Sequence, residues 1–348
     1  MKQIILILVV LGMAISCTTP SQDSTGNEDA KAVVGFYNLE NLFDTINAEG
    51  VFDEEFTPEG RKNWNTNRYQ RKKEMLASVI KGIGDTTKVN GPAVMGLCEV
   101  ENIQVIEDLL GNDHLGAINY KIVHQDAPDK RGIDVALIYQ PDLFKLETYK
   151  AIPLLIYDEN DGERIYTRDQ LLVSGLLLGE RTHFIVNHWP SRYGGEERSR
   201  PHRNSAAKLS RSIIDSLQAI EPMANVILMG DLNDDPNNVS VKELLRAVVK
   251  GEMKEGDLYN PLAEQHKAGV GTLCYRGFWN MFDQMVITPS LMNGQNGLSY
   301  KGAHIYTNSK MKVKAGDYAG YPFRTYVGNN YHGGYSDHFP VYIVLDKK

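Results

Sequence analysis

An α/β fold, with mixed β-sheets and helices packed outside them, is predicted by three features of this 348-residue sequence. Short apolar runs end repeatedly in turn-forming residues, the mark of buried strands. Two longer segments repeat apolar residues at helical spacing. Tight connections such as Leu178-Gly179-Glu180-Arg181 join neighbouring strands directly, so part of the pairing is antiparallel. With 42% hydrophobic and 23% charged residues the chain can bury a large core, and its composition is not that of a disordered protein. No period of about 20 to 50 residues repeats, so residues 32–348 read as one domain. A formal net charge of −7, one unit more negative once Lys2 is removed with the leader, makes the chain a poor generic ligand for polyanions. Contact with phosphate or nucleic acid therefore requires a local cationic patch or a bound metal.

The elements follow in order. Residues 1–16 carry Lys2 ahead of an apolar run too short to span a bilayer, which reads as a secretory signal. Ala14-Ile15-Ser16-Cys17 resembles the lipobox of bacterial lipoproteins, with alanine where leucine is usual. That resemblance implies lipidation of Cys17 and an exported, membrane-anchored protein, periplasmic or at the cell surface; cleavage with soluble secretion is the alternative. Residues 17–31 are polar, with Pro20, Ser21, Ser24 and Gly26, and read as a flexible tether. Strands are expected at 33–37, 93–98, 120–124, 133–139, 171–178, 183–187, 226–229, 282–287 and 340–345. Helices are expected at 67–83, where Met75, Leu76, Val79, Ile80 and Ile83 share a face, and at 205–220, with Leu209, Ile213, Leu217 and Ile220. The long polar segment 44–67 is either a lid or rim over a site or a surface insertion. Cys98, inside an apolar strand pattern, reads as a buried free thiol, although pairing with Cys274 stays open.

Strand ends carry the polar residues. Val226-Ile227-Leu228-Met229 runs into Gly230-Asp231-Leu232-Asn233-Asp234-Asp235-Pro236, so Asp231 and Asn233 project from the end of a buried strand, with Gly230 permitting a tight turn. An Asx-turn alone would account for an isolated Gly-Asp-x-Asn. Other strand ends add Asn38, Glu99, Asn187-His188, Asp283 and Ser336-Asp337-His338. Carboxylate and amide oxygens suit a hard cation that keeps open positions for a phosphate oxygen, and no Cys or His cluster has zinc spacing.

Six segments in order, Tyr37-Asn38-Leu39-Glu40-Asn41, Cys98-Glu99-Val100, Asn187-His188-Trp189-Pro190, Gly230-Asp231-Leu232-Asn233, Phe282-Asp283 and Ser336-Asp337-His338, resemble the endonuclease/exonuclease/phosphatase superfamily. The resemblance spans 33–345 and implies a deoxyribonuclease-I-like, four-layer α/β sandwich of two mixed sheets packed face to face with helices outside. It also implies a metal-dependent phosphoesterase using Mg²⁺, with Mn²⁺ or Ca²⁺ as alternatives. Carried over, Glu99 is the principal metal carboxylate, with Asn38 and Asp337 beside the same cation. Asp231 orients or deprotonates the attacking water, and Asn233 clamps the phosphate. His338, supported by Asp283, contacts the phosphoryl oxygens, and His188 stabilises or protonates the departing oxygen, with Asp134 as a candidate partner. Cys98 stands where the family often has Gln before the metal glutamate. Glu40 and Glu101 are expected on the solvated side of their turns, and His124, His183, His202 and His332 are expected to be structural. Asp234 and Asp235 are left as turn and helix-start residues.

The most cationic stretch, 191–211, offers Arg192, Arg198 and Arg200 as phosphate-backbone contacts, with Trp189 and Tyr193 as stacking surfaces. Nucleic acid is the favoured substrate of what is expected to act as a monomer. A phospholipid, a sphingomyelin-like lipid or an inositol phosphate is the second reading, against which no exposed apolar hairpin is evident. A non-catalytic surface-binding lipoprotein is the third.

Overall fold

The computed structural model describes residues 30–158 and 161–348; the leader, Cys17 and nearly all of the tether, on which export and lipidation rest, lie outside the described residues. Thirteen strands build two large sheets: β1 (Lys31–Leu42), β2 (Val94–Val100), β3 (Lys121–His124), β4 (Asp134–Tyr139), β5 (Phe144–Ile152), β6 (Gln170–Leu177), β7 (Glu180–His188), β8 (Asn225–Asp231), β9 (Ala247–Val248), β10 (Leu258–Tyr259), β11 (Asp283–Ile287), β12 (Leu298–Ile305) and β13 (Val341–Lys347). The six-stranded sheet has the order β12-β13-β1-β2-β4-β3 and the seven-stranded sheet β9-β10-β11-β8-β7-β6-β5. Each is mixed. A parallel pair, β1 with β2 and β7 with β8, lies at the middle of each sheet and is flanked by antiparallel neighbours.

Strand alternation separates three cores. Val34, Phe36, Phe184, Val186, Ile227, Met229, Met285 and Ile287 interdigitate between the two sheets. Val33, Tyr37, Met95 and Leu97 point the other way, onto the helices α1 (Thr66–Thr87) and α2 (Ile103–Leu110). Ile185, Val226 and Leu228 face Ala206, Ala207, Ile213 and Ile214 of α3 (Glu196–Ile220). The result is the expected four-layer sandwich. Strands buried on both faces read as continuous apolar runs, which is why their sequences were so plain.

All the expected strands are present within a few residues. The sequence reading missed the two-residue β9 and β10 and also β5 and β12, each at one edge of its sheet, whose half-exposed patterns contain no unbroken apolar run. It also missed α2, capped by the Asn102 side chain accepting from the Val105 N–H. Helix α3 begins at Glu196, well before the expected start, because its first turns are charged and contain Pro201. Segment 44–67 is a packed rim: Phe56 stacks on Phe43 at 4.4 Å, and the buried Trp64 indole donates to the Phe43 carbonyl. Gly230 does not supply a left-handed turn. A Cβ there would lie 2.4 Å from the Asn187 carbonyl oxygen, so glycine is required for close approach of β8 to β7. Cys98 and Cys274 are both free thiols. Among the described residues no helix is long and apolar enough to cross a membrane.

Candidate active site

The alternation that fills the inter-sheet core also aims the polar residues. Asn38 continues the inward series of Val34 and Phe36, His188 that of Phe184 and Val186, Asp231 that of Ile227 and Met229, and Asp283 precedes Met285 and Ile287. The inner face thus changes from apolar to polar at one end of the sandwich, at the carboxyl ends of the two central parallel pairs. In register, Asp231 lies between His188 on β7 and Asp283 on β11.

Glu99 breaks this parity. By alternation it would follow Met95 and Leu97 toward the outer helices, but the β1–β2 register shifts after Asn38 and Cys98. Glu40, Asn41 and Glu99 all take positive φ there, at 49°, 53° and 59°. Such strained bulges are found beside functional sites, where they redirect a side chain. Here Glu99 Oε2 accepts the Asn41 N–H at 2.8 Å, and Oε1 comes within 3.8 Å of His188 Nε2.

A ring of polar atoms results. His188 Nε2 is 3.7 Å from Asp231 Oδ2, which is 3.9 Å from His338 Nε2; that nitrogen is 3.9 Å from Asp337 Oδ1. Asp231 is buried and held by two donors, Asn38 Nδ2 at 3.0 Å and the Asn233 N–H at 2.9 Å. Burial, with Asp283 and Glu99 nearby, pushes its carboxyl up to about 7 despite the opposing pull of His338. His338 Nδ1 meets Asp283 Oδ2 at 2.7 Å. Burial opposes its charge, yet Asp283, Asp231 and Asp337 together raise its pKa well above the ordinary value. His188 goes the other way: burial, reinforced by Arg168, Arg131 and His338, keeps it neutral, and its buried Nδ1 has no hydrogen-bond partner. Asp337, opposed by burial, is held below the ordinary range by His338, Arg324 and Lys72, and it pairs with Arg324.

The donor chemistry fits a hard divalent cation. Both polar atoms of Asn38 are engaged, the oxygen by the Glu40 N–H and the nitrogen by Asp231, whereas Glu99 Oε1 and Asp337 Oδ1 face the ring without a hydrogen bond; Asp283 Oδ1 is buried and also lacks one. Carboxylates outnumber the cations Lys72, Arg324 and His338 around them, an imbalance a bound cation would correct. A separate cluster, His124, Asp126 and Asp134, also brings potential ligands together, but Asp134 already bonds His124 at 2.9 Å and the Ala127 N–H at 2.8 Å. Asp134 is therefore not the partner of His188; Asp231 and Glu99 are the carboxylates that face it.

Other expectations require correction. Arg192 is not available to substrate: it bonds the Asn233 carbonyl, Glu196, Asp234 and Asn238, and its guanidinium lies over Phe282. Arg200 pairs with Glu197, while Arg198 is exposed with no ion pair among the described residues. The fully buried Arg203 joins Arg192 on Asp234, so this turn aspartate anchors the loop bearing Asn233. Trp189 is buried and Tyr193 exposed. Glu40 and Glu101 are buried and not solvated. Glu40 accepts from the Thr325 N–H and lies 3.6 Å from both Lys72 and Arg324. Its even spacing from Asn38 was a signal in the sequence; Arg324 and Lys72 had none. An exposed apolar hairpin does exist, formed by Leu273–Tyr275 and Phe278–Asn280, with Tyr275 and Phe278 uncovered.

The described architecture recurs in known proteins. An endonuclease/exonuclease/phosphatase from Bacteroides vulgatus is 15% identical with a TM-score of 0.55, covering 92% of this chain and 100% of its own. A mannosyl-6-phosphatase from Bacteroides thetaiotaomicron is 16% identical at 0.54, covering 90% and 99%. TDP2 from D. rerio, solved with a single-strand DNA product, is 13% identical at 0.54, covering 92% and 100%. These likenesses are of fold. No curated protein matches the sequence. The model of the Endonuclease/Exonuclease/phosphatase family matches residues 33–347, nearly the whole described chain, and the protein belongs to that family.

Proposed function

We propose that the protein is a divalent-cation-dependent phosphoesterase that hydrolyses P–O bonds by in-line attack of water, with nucleic acid as its substrate. The observation that carries this reading is the convergence, within 3.7–3.9 Å steps, of Glu99, His188, Asp231, His338 and Asp337 at the end of the inter-sheet core. When bound, a divalent cation held by Glu99 and Asp337 supplies charge neutralisation at a phosphoryl oxygen. Asp231, fixed by Asn38 and the Asn233 N–H, takes the proton of the attacking water. Asn233 spends one side-chain N–H on the Trp189 carbonyl and has a second for the phosphate. The charged His338, oriented by Asp283, stabilises the negative oxygens. His188, neutral, donates a hydrogen bond to the departing oxygen, which takes its proton from solvent water as the P–O bond breaks. Arg198 and Lys208 are the exposed cations of the 191–211 stretch with no ion pair among the described residues, and Arg198, the nearer to His188 in the chain, is the one we assign to a phosphate backbone.

A second reading, hydrolysis of a phospholipid or related phosphate ester, is favoured by the exposed Tyr275 and Phe278 on the hairpin, which could meet a lipid surface. Export and anchoring through Cys17 belong to the same proposal and rest on the lipobox-like residues 14–17. Purified protein presented with plasmid, single-stranded DNA, RNA, sphingomyelin and inositol phosphates, with Mg²⁺ and with chelator, tests both readings. Nucleic-acid cleavage is expected with Mg²⁺ alone, and its loss in Glu99→Gln and His338→Ala with circular dichroism unchanged. Turnover that survives chelation or both substitutions would overturn the mechanism. Metabolic labelling with palmitate, lost in Cys17→Ser, tests the anchor.

A further inference from the structure

A cavity of about 450 Å³ opens beside the polar ring, and Asp337 and Arg324 belong to its lining. Whatever fills it is therefore one residue away from the groups around the phosphate. Aromatic rings stand in its walls: Tyr275 comes from the exposed hairpin, and Tyr318, Tyr321 and Phe323 from the irregular segment that precedes Asp337. Tyr275 and Tyr318 are 61% and 64% exposed, so large ring faces stand uncovered.

The walls are fixed from behind. Tyr321 meets Tyr318 edge-on at 5.5 Å and Trp279 at 6.0 Å, and Trp279 stacks on Phe339, the residue after His338, at 6.1 Å. The Phe323 N–H donates to Met311 and its carbonyl accepts from Tyr335, which ties the second wall to the backbone. The Arg276 guanidinium lies 5.2 Å over the Tyr275 ring, presenting a second planar cationic surface at the rim.

Resting on the phosphoesterase reading above, we infer that this cavity binds a planar aromatic ring carried by the phosphate ester, a nucleobase in a nucleic-acid substrate. Tyrosine faces and a guanidinium plane suit stacking, which tolerates any base because every base has a π-face. The volume falls in the range of sites for small organic groups and accommodates a purine. Leu273, Val313, Pro322 and Val327 also line the cavity, but Arg276, Arg324, His332 and Asp337 interrupt that aliphatic surface along the path of an acyl chain.

Calorimetric titration in Mg²⁺ buffer with deoxyadenosine 5′-monophosphate and with the base-free 2-deoxyribose 5-phosphate tests the inference without requiring turnover. The nucleotide is expected to bind about five- to a hundredfold more tightly, the range that base–aromatic stacking supports. Tyr275→Ala combined with Tyr318→Ala, both at exposed positions, should remove that difference and leave the sugar phosphate unchanged, with circular dichroism intact. Equal affinity of the two ligands for the wild type would overturn the inference. So would tighter binding of dihexanoyl phosphatidic acid that the double variant abolishes, since the cavity would then serve an acyl chain. Failure of the phosphoesterase reading shows separately, as absence of hydrolysis in the substrate panel.

Discussion

His188 and His338 face the same ring of atoms, yet their surroundings drive them to opposite charge states. Three carboxylates surround His338, whereas Arg168, Arg131 and His338 itself bear on His188. Asp283→Asn removes the charge partner of His338 Nδ1 while keeping its shape. We expect kcat to fall about a hundredfold or more, with unfolding by urea little changed, measured by steady-state hydrolysis. A third buried histidine offers a pH test away from the site. His183, bonded to the Ser174 hydroxyl at 2.7 Å, is lowered from 6.5 by burial and by Arg181. Above pH 6.5 both folded and unfolded chains carry it neutral, so its contribution is complete there. As pH falls below 6.5 the unfolded chain takes up the proton first, and stability declines until the lowered folded value is reached. His183→Gln should flatten that part of a urea-midpoint profile against pH. At this scale the site was legible wherever a polar residue ended an apolar run at even spacing, as Asn38, His188 and Asp231 do. It was illegible where a side chain acquires its meaning from a distant partner. Glu40 looked solvated until Thr325, 285 residues away, closed over it.

The bulges of β1 and β2 and the helix α1 are the elements that convert a regular sandwich into a site. Without the register shift Glu99 would point at α1 and α2, a redirection no hydrophobic pattern encodes. Helix α1 acts as a staple: Lys72, 1% exposed, donates to the Thr325 hydroxyl at 2.6 Å and the Tyr335 carbonyl at 2.8 Å and faces Glu40. One helix turn thus secures the segment that carries Arg324 and leads to Asp337. Lys72→Met leaves the buried Glu40 with only the half-exposed Arg324 beside it and should cost about 3–5 kcal/mol by urea unfolding. Adding Glu40→Gln should recover most of the loss, because the uncompensated charge is then gone. Equal destabilisation of the single and double variants would show the lysine acting through packing alone. The edge strands β5 and β12 escaped the sequence reading for a related reason: each meets a partner on only one side, so its apolar residues are diluted with exposed ones.

For the whole molecule, the excess of carboxylates at one end of the sandwich predicts that folding is linked to cation binding. Mg²⁺ at about a hundred times its Kd should stabilise the protein by about 2.7 kcal/mol, read as a rise in Tm that chelator reverses. Glu99→Gln should abolish that rise without lowering the cation-free Tm. The layered fold and the face-to-face sheets were readable from the order of motifs and the apolar runs, since strands buried on both faces leave little else in their sequence. The aromatic cavity was not, because its walls come from a hairpin and an irregular segment that share no period. The two sheets supply complementary parts of one ring, Asn38 and Glu99 from the first and His188, Asp231 and Asp283 from the second. Those parts are joined by the Asn38–Asp231 hydrogen bond and by the apolar layer of Phe36, Val186 and Met229 beneath it. Turnover is therefore an alignment gauge for that layer: any change that lets one sheet slip against the other by a fraction of a side chain silences the enzyme while each sheet, and its circular dichroism, remains whole.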